Sequence, residues 1–361
     1  MVYGSIYESS RLEGSFLPDY AGPDAPFRMV TESLETDQAL FDIVIEHDFL
    51  EAAAANNVQL EATLQAIDEG FLGDMWGKIV ELLKKIKDKI VSIAKAASVK
   101  ISAFFTKDNK ALVDKYGKQF AAADHSKITI KGFCKMRSGK SIADNADISY
   151  LKDQFTSAES ATSVANAEKA AKDATVDKAL GKALGKESSV SASSFTKEYR
   201  NSIFEDGKDV KASEISSHVT EVLTNYGNAV SSINDAKNKL TKEIDTCMDN
   251  ANKKANEANT IDPNDASRKP EKELMSAQAN ACRTIAQAEQ AASGKIFSAI
   301  LDALKFDMKQ SRKAYITIAA KGAPSVQKED ADLLEAELEL EDYNVDSFFD
   351  QYAYDEEDLA S

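Results

Sequence analysis

The chain has 361 residues, 43% of them apolar, with 15 glycines, 6 prolines and a formal net charge of −16. That apolar fraction suffices for a packed core and excludes a chain disordered throughout, while scarce Gly and Pro beside abundant Ala and long straight side chains favour helix, where those residues lose little rotamer freedom. The acidity is concentrated in residues 328–361, where fourteen Asp and Glu accompany one lysine and leave −3 for the first 327 residues, so a dedicated nucleic-acid binder with a basic stripe is not expected.

Residues 1–30 hold Pro18, Pro23 and Pro26 among Tyr3, Tyr7, Phe16, Tyr20 and Phe27, and read as an extended N-terminal arm. No basic segment followed by an apolar one is visible there, so no secretory signal is expected. From Thr31 the pattern turns helical: TESLETDQALFDIVIEHDFLEAAAANN, then VQLEATLQAIDEG, which stops at Gly70. These two helices open an N-terminal helical unit over residues 31–122.

Its main element is GFLGDMWGKIVELLKKIKDKIVSIAKAASVKISAFF, 70–105. Leu72, Trp76, Ile79, Leu83, Ile86, Ile90, Ile93, Ala97, Ile101 and Phe104 advance by three or four residues and define one apolar stripe on a helix roughly 50 Å long. The opposite face carries Lys78, Lys84, Lys85, Lys87, Lys89 and Lys95. A further short helix is expected within 106–122, starting near Asp108.

Residues 123–215 read as a mixed, flexible region. The one good strand is KITIKGFC, 127–134, interrupted by Gly132. Residues 138–185 are Ala/Lys/Ser-rich and poor in large apolar side chains, which predicts a peripheral position, and LGKALGKESSVSASS reads as a flexible loop. Residues 216–322 read as a long-helix hairpin. In its first helix Val219, Tyr226, Ile233, Leu240 and Cys247 recur every seven residues, flanked by Leu223, Val230, Ile244 and Ala251. Pro263 and Pro270 mark a break, and a second helix from about Glu271 to Ala320 is small-sided at Ala277, Ala281, Ala288 and Ala292, with a kink expected at Gly294. Residues 323–361 form an acidic–aromatic tail with Tyr343, Phe348, Phe349, Tyr352 and Tyr354, a composition that orders on meeting a partner.

Chemistry is not nominated by any motif. RSGKS, 137–141, has Cys134 where a phosphate-binding loop needs Gly, and DPNDA, 262–266, lacks the Gly and a ligand of a calcium loop. His47, His125 and His218 share no metal-ligand spacing with each other or with Cys134, Cys247 and Cys282, which read as reduced, partly buried thiols. The expectation is a non-enzymatic protein with no cofactor, no metal and no small-molecule substrate.

The lysine-rich helix admits two readings. Its stripe has the same heptad spacing as the seam beginning at Val219, which predicts bundle packing. The alternative is a membrane-active protein whose 71–105 helix lies at a lipid surface, with Trp76 at one end and lysines on the polar face. The acidic tail is a natural partner for those lysines.

Three stretches carry a resemblance: ESLETDQALFDIVIEHDFLEA (32–52), GFLGDMWGKIVELLKKIKDKI leading into FFTKDNKALVDKYGKQF (70–120), and FTKEYRNSIFEDG (195–207). Together they resemble structural proteins of large-genome tailed bacteriophages over roughly half the chain, though the Ala-rich helices and the tail depart from that pattern. The resemblance implies a virion component, in the head or tail, made in the host cytoplasm, whose partners are other virion proteins or further copies of itself. It also implies processing by a maturation protease, for which SLE (33–35) and SAE (157–159) are candidate triplets.

The expected architecture is therefore mainly α: an elongated helical bundle with long amphipathic helices, a minor β element, an extended N-terminal arm and an acidic C-terminal tail. The candidate interaction residues are Trp76, the six lysines and the five tail aromatics.

Overall fold

The computed structural model of the chain describes residues 71–262 and 265–322, all within one compact unit, Asp68–Ser361. The N-terminal arm, the helices expected between Thr31 and Gly70, and the tail with Tyr343, Phe348, Phe349, Tyr352 and Tyr354 lie outside the described residues.

Helix α1 spans Phe71–Phe104, as its periodicity requires. It buries Trp76, Ile79, Leu83, Ile86, Ile90, Ala94, Ala97, Ile101 and Phe104. Ala94 takes the place expected for Ile93, which is only half-buried: a straight helix of 3.6 residues per turn drifts off a strict seven-residue repeat, and the seam steps by one residue to follow it. A π-helical turn, Phe105–Asn109, follows directly and leads into α2, Lys110–Ala122. Its wide turn shifts the phase of the buried face, so Phe104 and Phe105 are buried side by side and the α2 residues Leu112 and Tyr116 enter a different core.

Strand β1, Thr129–Phe133, pairs antiparallel with β2, Lys208–Lys211, in the register Thr129↔Lys211, Ile130↔Val210 and Phe133↔Lys208. Between Ile130 and Phe133 two residues of β1 oppose the single Asp209 of β2, and this one extra residue makes a bulge at Gly132, whose φ of +66° requires glycine. KDVK carries no strand signal of its own, being four residues with one apolar side chain.

Everything between the two strands is an excursion closed at its neck by the Met136–Phe204 bridge and by Arg137 N–H donating to the Ile203 carbonyl at 2.8 Å. It contains α3 (Ser149–Glu159), α4 (Val164–Asp173), α5 (Val176–Ala183) and α6 (Ala192–Ile203). The peripheral position expected for residues 138–185 is wrong: Ile148, Leu151, Phe155, Ala158, Ala167 and Leu180 are all fully buried, and Phe195 and Tyr199 of α6 join them. Their alanines serve as close-packing contacts rather than as solvated surface. Of the loop expected at 180–194, residues 180–183 belong to α5 and 192–194 to α6, while 184–191 are non-helical and fold back on α5. Val190 N–H donates to the Asp177 carbonyl at 2.9 Å, and a Cβ on Gly181 would lie 2.2 Å from the Ser188 carbonyl oxygen. Gly181→Ala is expected to cost about 1–3 kcal/mol by overpacking, read as a lowered urea midpoint.

The single helix expected across 218–258 is two: α7, Ala212–Thr224, and α8, Tyr226–Ala258. Asn225 leaves helical geometry with φ −111° and ψ 77°, and Gly227 adds a second poor helix former beside it. The seven-residue series crosses this break without being one stripe. Val219 and Leu223 join one core, Ile233 to Ala251 another, and Tyr226 between them is 47% exposed.

Among the described elements, α8 and α1 share the most extensive contact, where the sequence suggested a hairpin of α8 with the final helix. The pair is antiparallel, since Gly73 adjoins Asn259, Lys87 meets Asp245, and Phe105 meets Tyr226. The final helix, α9, spans Lys269–Gly322 and runs on through Gly294, with Pro270 tolerated in its first turn. It is buried on most sides, touching α1 to α8 and β1, and is therefore the central pillar. Two cores line it. The larger joins α1, α3–α6, α8 and most of α9; the smaller joins α2, the strands, α7 and the last turns of α9.

Candidate interaction surface

On α1, burial of one face leaves the lysines outward. Lys78, Lys84, Lys85 and Lys95 are exposed and Lys87 and Lys89 half-buried. Lys87 alone of the six forms an ion pair with another described residue, Asp245 of α8 at 2.6 Å. Trp76 is 0% exposed, so it belongs to the core and cannot serve as a contact residue in this fold. Its indole is an internal packing element.

Charge is partitioned along the chain more sharply than its total suggests. Residues 71–322 carry 41 Lys and Arg against 32 Asp and Glu, a net of +9, whereas residues 1–70 carry −12 and 328–361 carry −13. The described body is therefore basic and the ends acidic.

Among the described residues three acidic or basic side chains are buried: Glu289, Asp307 and Arg312. Glu289 of α9 is 0% exposed; Cys247 Sγ of α8 donates to its Oε1 at 3.2 Å, while Oε2 has no hydrogen-bond partner. Burial pushes its carboxyl up to about 8, with the charge of Glu243 adding to the shift and the Cys247 bond opposing it. Burial likewise raises the Cys247 and Cys282 thiols, so both are poor nucleophiles, in keeping with the reading of these cysteines as small core residues. Asp307 joins His218 Nε2 at 2.9 Å and accepts from Gln310 Nε2 at 3.1 Å, and Gln310 in turn holds the backbone of Cys134, the residue after β1. Burial acts to lower the His218 pKa, but the bond to Asp307 and its charge outweigh it and hold the imidazole above its ordinary value. Arg312 donates to Asn109 of the π-helical turn and lies over the Phe104 ring at 5.3 Å.

His125 bonds Ser216 Oγ at 2.5 Å and the Phe120 carbonyl at 2.8 Å, while His47 lies outside the described residues. RSGKS is a turn with Gly139 at φ +72°. In DPNDA, Asp265 caps a single 3-10 turn, accepting from Ser267 N–H at 2.9 Å. The SAE triplet ends α3 with Ala158 fully buried. Among the described residues, no group of three or more His, Cys, Asp or Glu side chains is placed to hold a metal ion, and no helix is long and apolar enough to cross a membrane.

A groove that sequence reasoning missed opens where the π-helical turn meets the α7–α8 break, with a volume of about 230 Å³. Phe105, Val113, Leu223 and Tyr226 form its apolar walls, with Thr106 and Lys110 at its polar side. Neither the π turn nor the break has a periodicity signal, so nothing in the sequence brought these residues together. Glu289 was more legible: Cys282, Glu289 and Ile296 stand seven apart, and a carboxylate in an apolar stripe is the sign.

Comparison with protein-family models, curated proteins and solved structures finds no match to this chain in any of the three. The class defined by its own residues is a mainly helical protein built around one central helix, with a small two-stranded sheet and a basic outer face on α1.

Proposed function

We propose that this chain is a non-enzymatic structural protein that acts through protein–protein contacts, as a component of a tailed-bacteriophage particle. The phage assignment rests on the resemblance of residues 32–52, 70–120 and 195–207. The mode of action is supported by one observation: the apolar stripe of α1 is buried against α8 and α9 while Lys78, Lys84, Lys85 and Lys95 remain exposed. What α1 offers a partner is charge. Withdrawing the stripe for insertion into lipid would forfeit on the order of ten kcal/mol of apolar burial, at about 25 cal/mol per Å2.

Mass spectrometry of particles purified from cells producing the encoding genome is expected to find the chain among the structural components; its absence would remove the reading. The triple variant Lys84→Glu/Lys85→Glu/Lys95→Glu should unfold within about 0.5 kcal/mol of the parent, because these side chains are exposed, yet be depleted from the particle. Flotation on anionic vesicles separates the lipid alternative: binding that survives about 1 M salt, where the Debye length is about 3 Å, needs apolar insertion and would overturn the protein-contact reading.

A further inference from the structure

We propose that the groove at the π-helical turn is the docking site of the chain's own acidic–aromatic segment, residues 328–361. Four observations converge on that occupant. The groove has apolar walls, with Tyr226 at 47% exposure, and Lys110 at its side, so it suits a ligand that is at once aromatic and anionic. Segment 328–361 is such a ligand, with fourteen acids, Tyr343, Phe348, Phe349, Tyr352 and Tyr354. Charge is complementary at larger scale as well, −13 on the segment against +9 on residues 71–322.

The fourth observation is the point of attachment. Helix α9 ends at Gly322 against the end of α2, so closely that a Cβ on Gly322 would lie 2.2 Å from the Gln119 carbonyl oxygen. From Gln119 back along α2 to Lys110 is nine residues, about 14 Å at 1.5 Å per residue. The chain from Gly322 to Tyr343 spans up to roughly 70 Å when extended, several times the distance required. A tether of that length holds the segment near the groove at an effective concentration of about the millimolar order, which favours the same chain over a second copy. The aromatic rings would enter beside Phe105 and Tyr226, and the carboxylates would stay at the lysine side in water, where neither charge is desolvated.

The test uses the full-length chain carrying p-benzoylphenylalanine in place of Tyr226 and, separately, of Thr224, with heavy- and light-isotope copies mixed before irradiation. Cross-links from both positions to residues 343–354, within single isotopic chains, are expected, with yield falling severalfold in about 1 M salt and in Lys110→Glu. Cross-links running between heavy and light chains would overturn the same-chain assignment in favour of a second copy. Cross-links from neither position, or only to residues outside 328–361, would overturn the docking itself.

Discussion

Replacing Glu289 with methionine is expected to stabilise the protein, and to do so more as pH rises. The carboxyl is fully buried, its Oε2 has no hydrogen-bond partner, and its pKa is raised from 4.5 to about 8. A carboxyl raised in the folded state binds its proton more tightly there than in the unfolded chain. Stability is then greatest below the unfolded value, falls as pH rises from 4.5 toward 8, and levels off above it. At about 1.4 kcal/mol per pKa unit the loss across that window approaches roughly 5 kcal/mol. Methionine keeps the length of the side chain without the charge, and replacing a buried charge by an apolar side chain of similar volume is often favourable. Urea unfolding of parent and Glu289→Met at pH 5, 7 and 9 should show a gap that widens with pH. A gap that is constant, or that narrows, would contradict the assignment of a buried, ionisation-resistant carboxyl. Glu289→Gln separates charge from shape: its gap from the parent should widen with pH in the same way, and the Gln and Met variants should differ by an amount that does not depend on pH.

Phe155→Ala is expected to cost about 3–5 kcal/mol, the usual result of emptying a filled aromatic site in a core. Phe155 is 0% exposed on α3 and its backbone carbonyl accepts from the core thiol of Cys282 at 3.7 Å. Val164→Ala, in the same Ala-rich excursion but 39% exposed, should shift the urea midpoint little. A cost below about 1 kcal/mol for Phe155→Ala would mean that residues 138–185 are peripheral after all.

Phe155 and Glu289 also show how far the chain could be read in advance. The α1 stripe was legible because ten apolar residues keep one period over 34 positions, and such a run admits only one buried face. The mainly helical character, the extent of α9 and the position of β1 follow from similarly local signals: propensity, proline and β-branching. The candidate lysines were legible as a face, and four of the six are exposed. Trp76 was misplaced among them because a tryptophan near the end of a basic amphipathic helix has the same local pattern whether it meets lipid or core.

Local pattern stops where packing depends on distant residues. Whether an alanine-rich stretch is surface or close-packed interior depends on what lies against it, and here Ala158, Ala167 and Ala170 gain their burial in the core they share with the central helix α9, over a hundred residues later. The break at Asn225 interrupts a perfect seven-residue series, because the two halves are claimed by different cores. Strand β2 finds its hydrogen-bonding edge in β1, 75 residues away, and the π-helical turn is held from α9 by Arg312, which meets Asn109 and Phe104 there. Periodicity thus determined which face of each long helix is apolar; the partner that covers that face, and so whether the lysines or the stripe remain available, was decided by the tertiary fold, since burial is a property of pairs of surfaces and not of one.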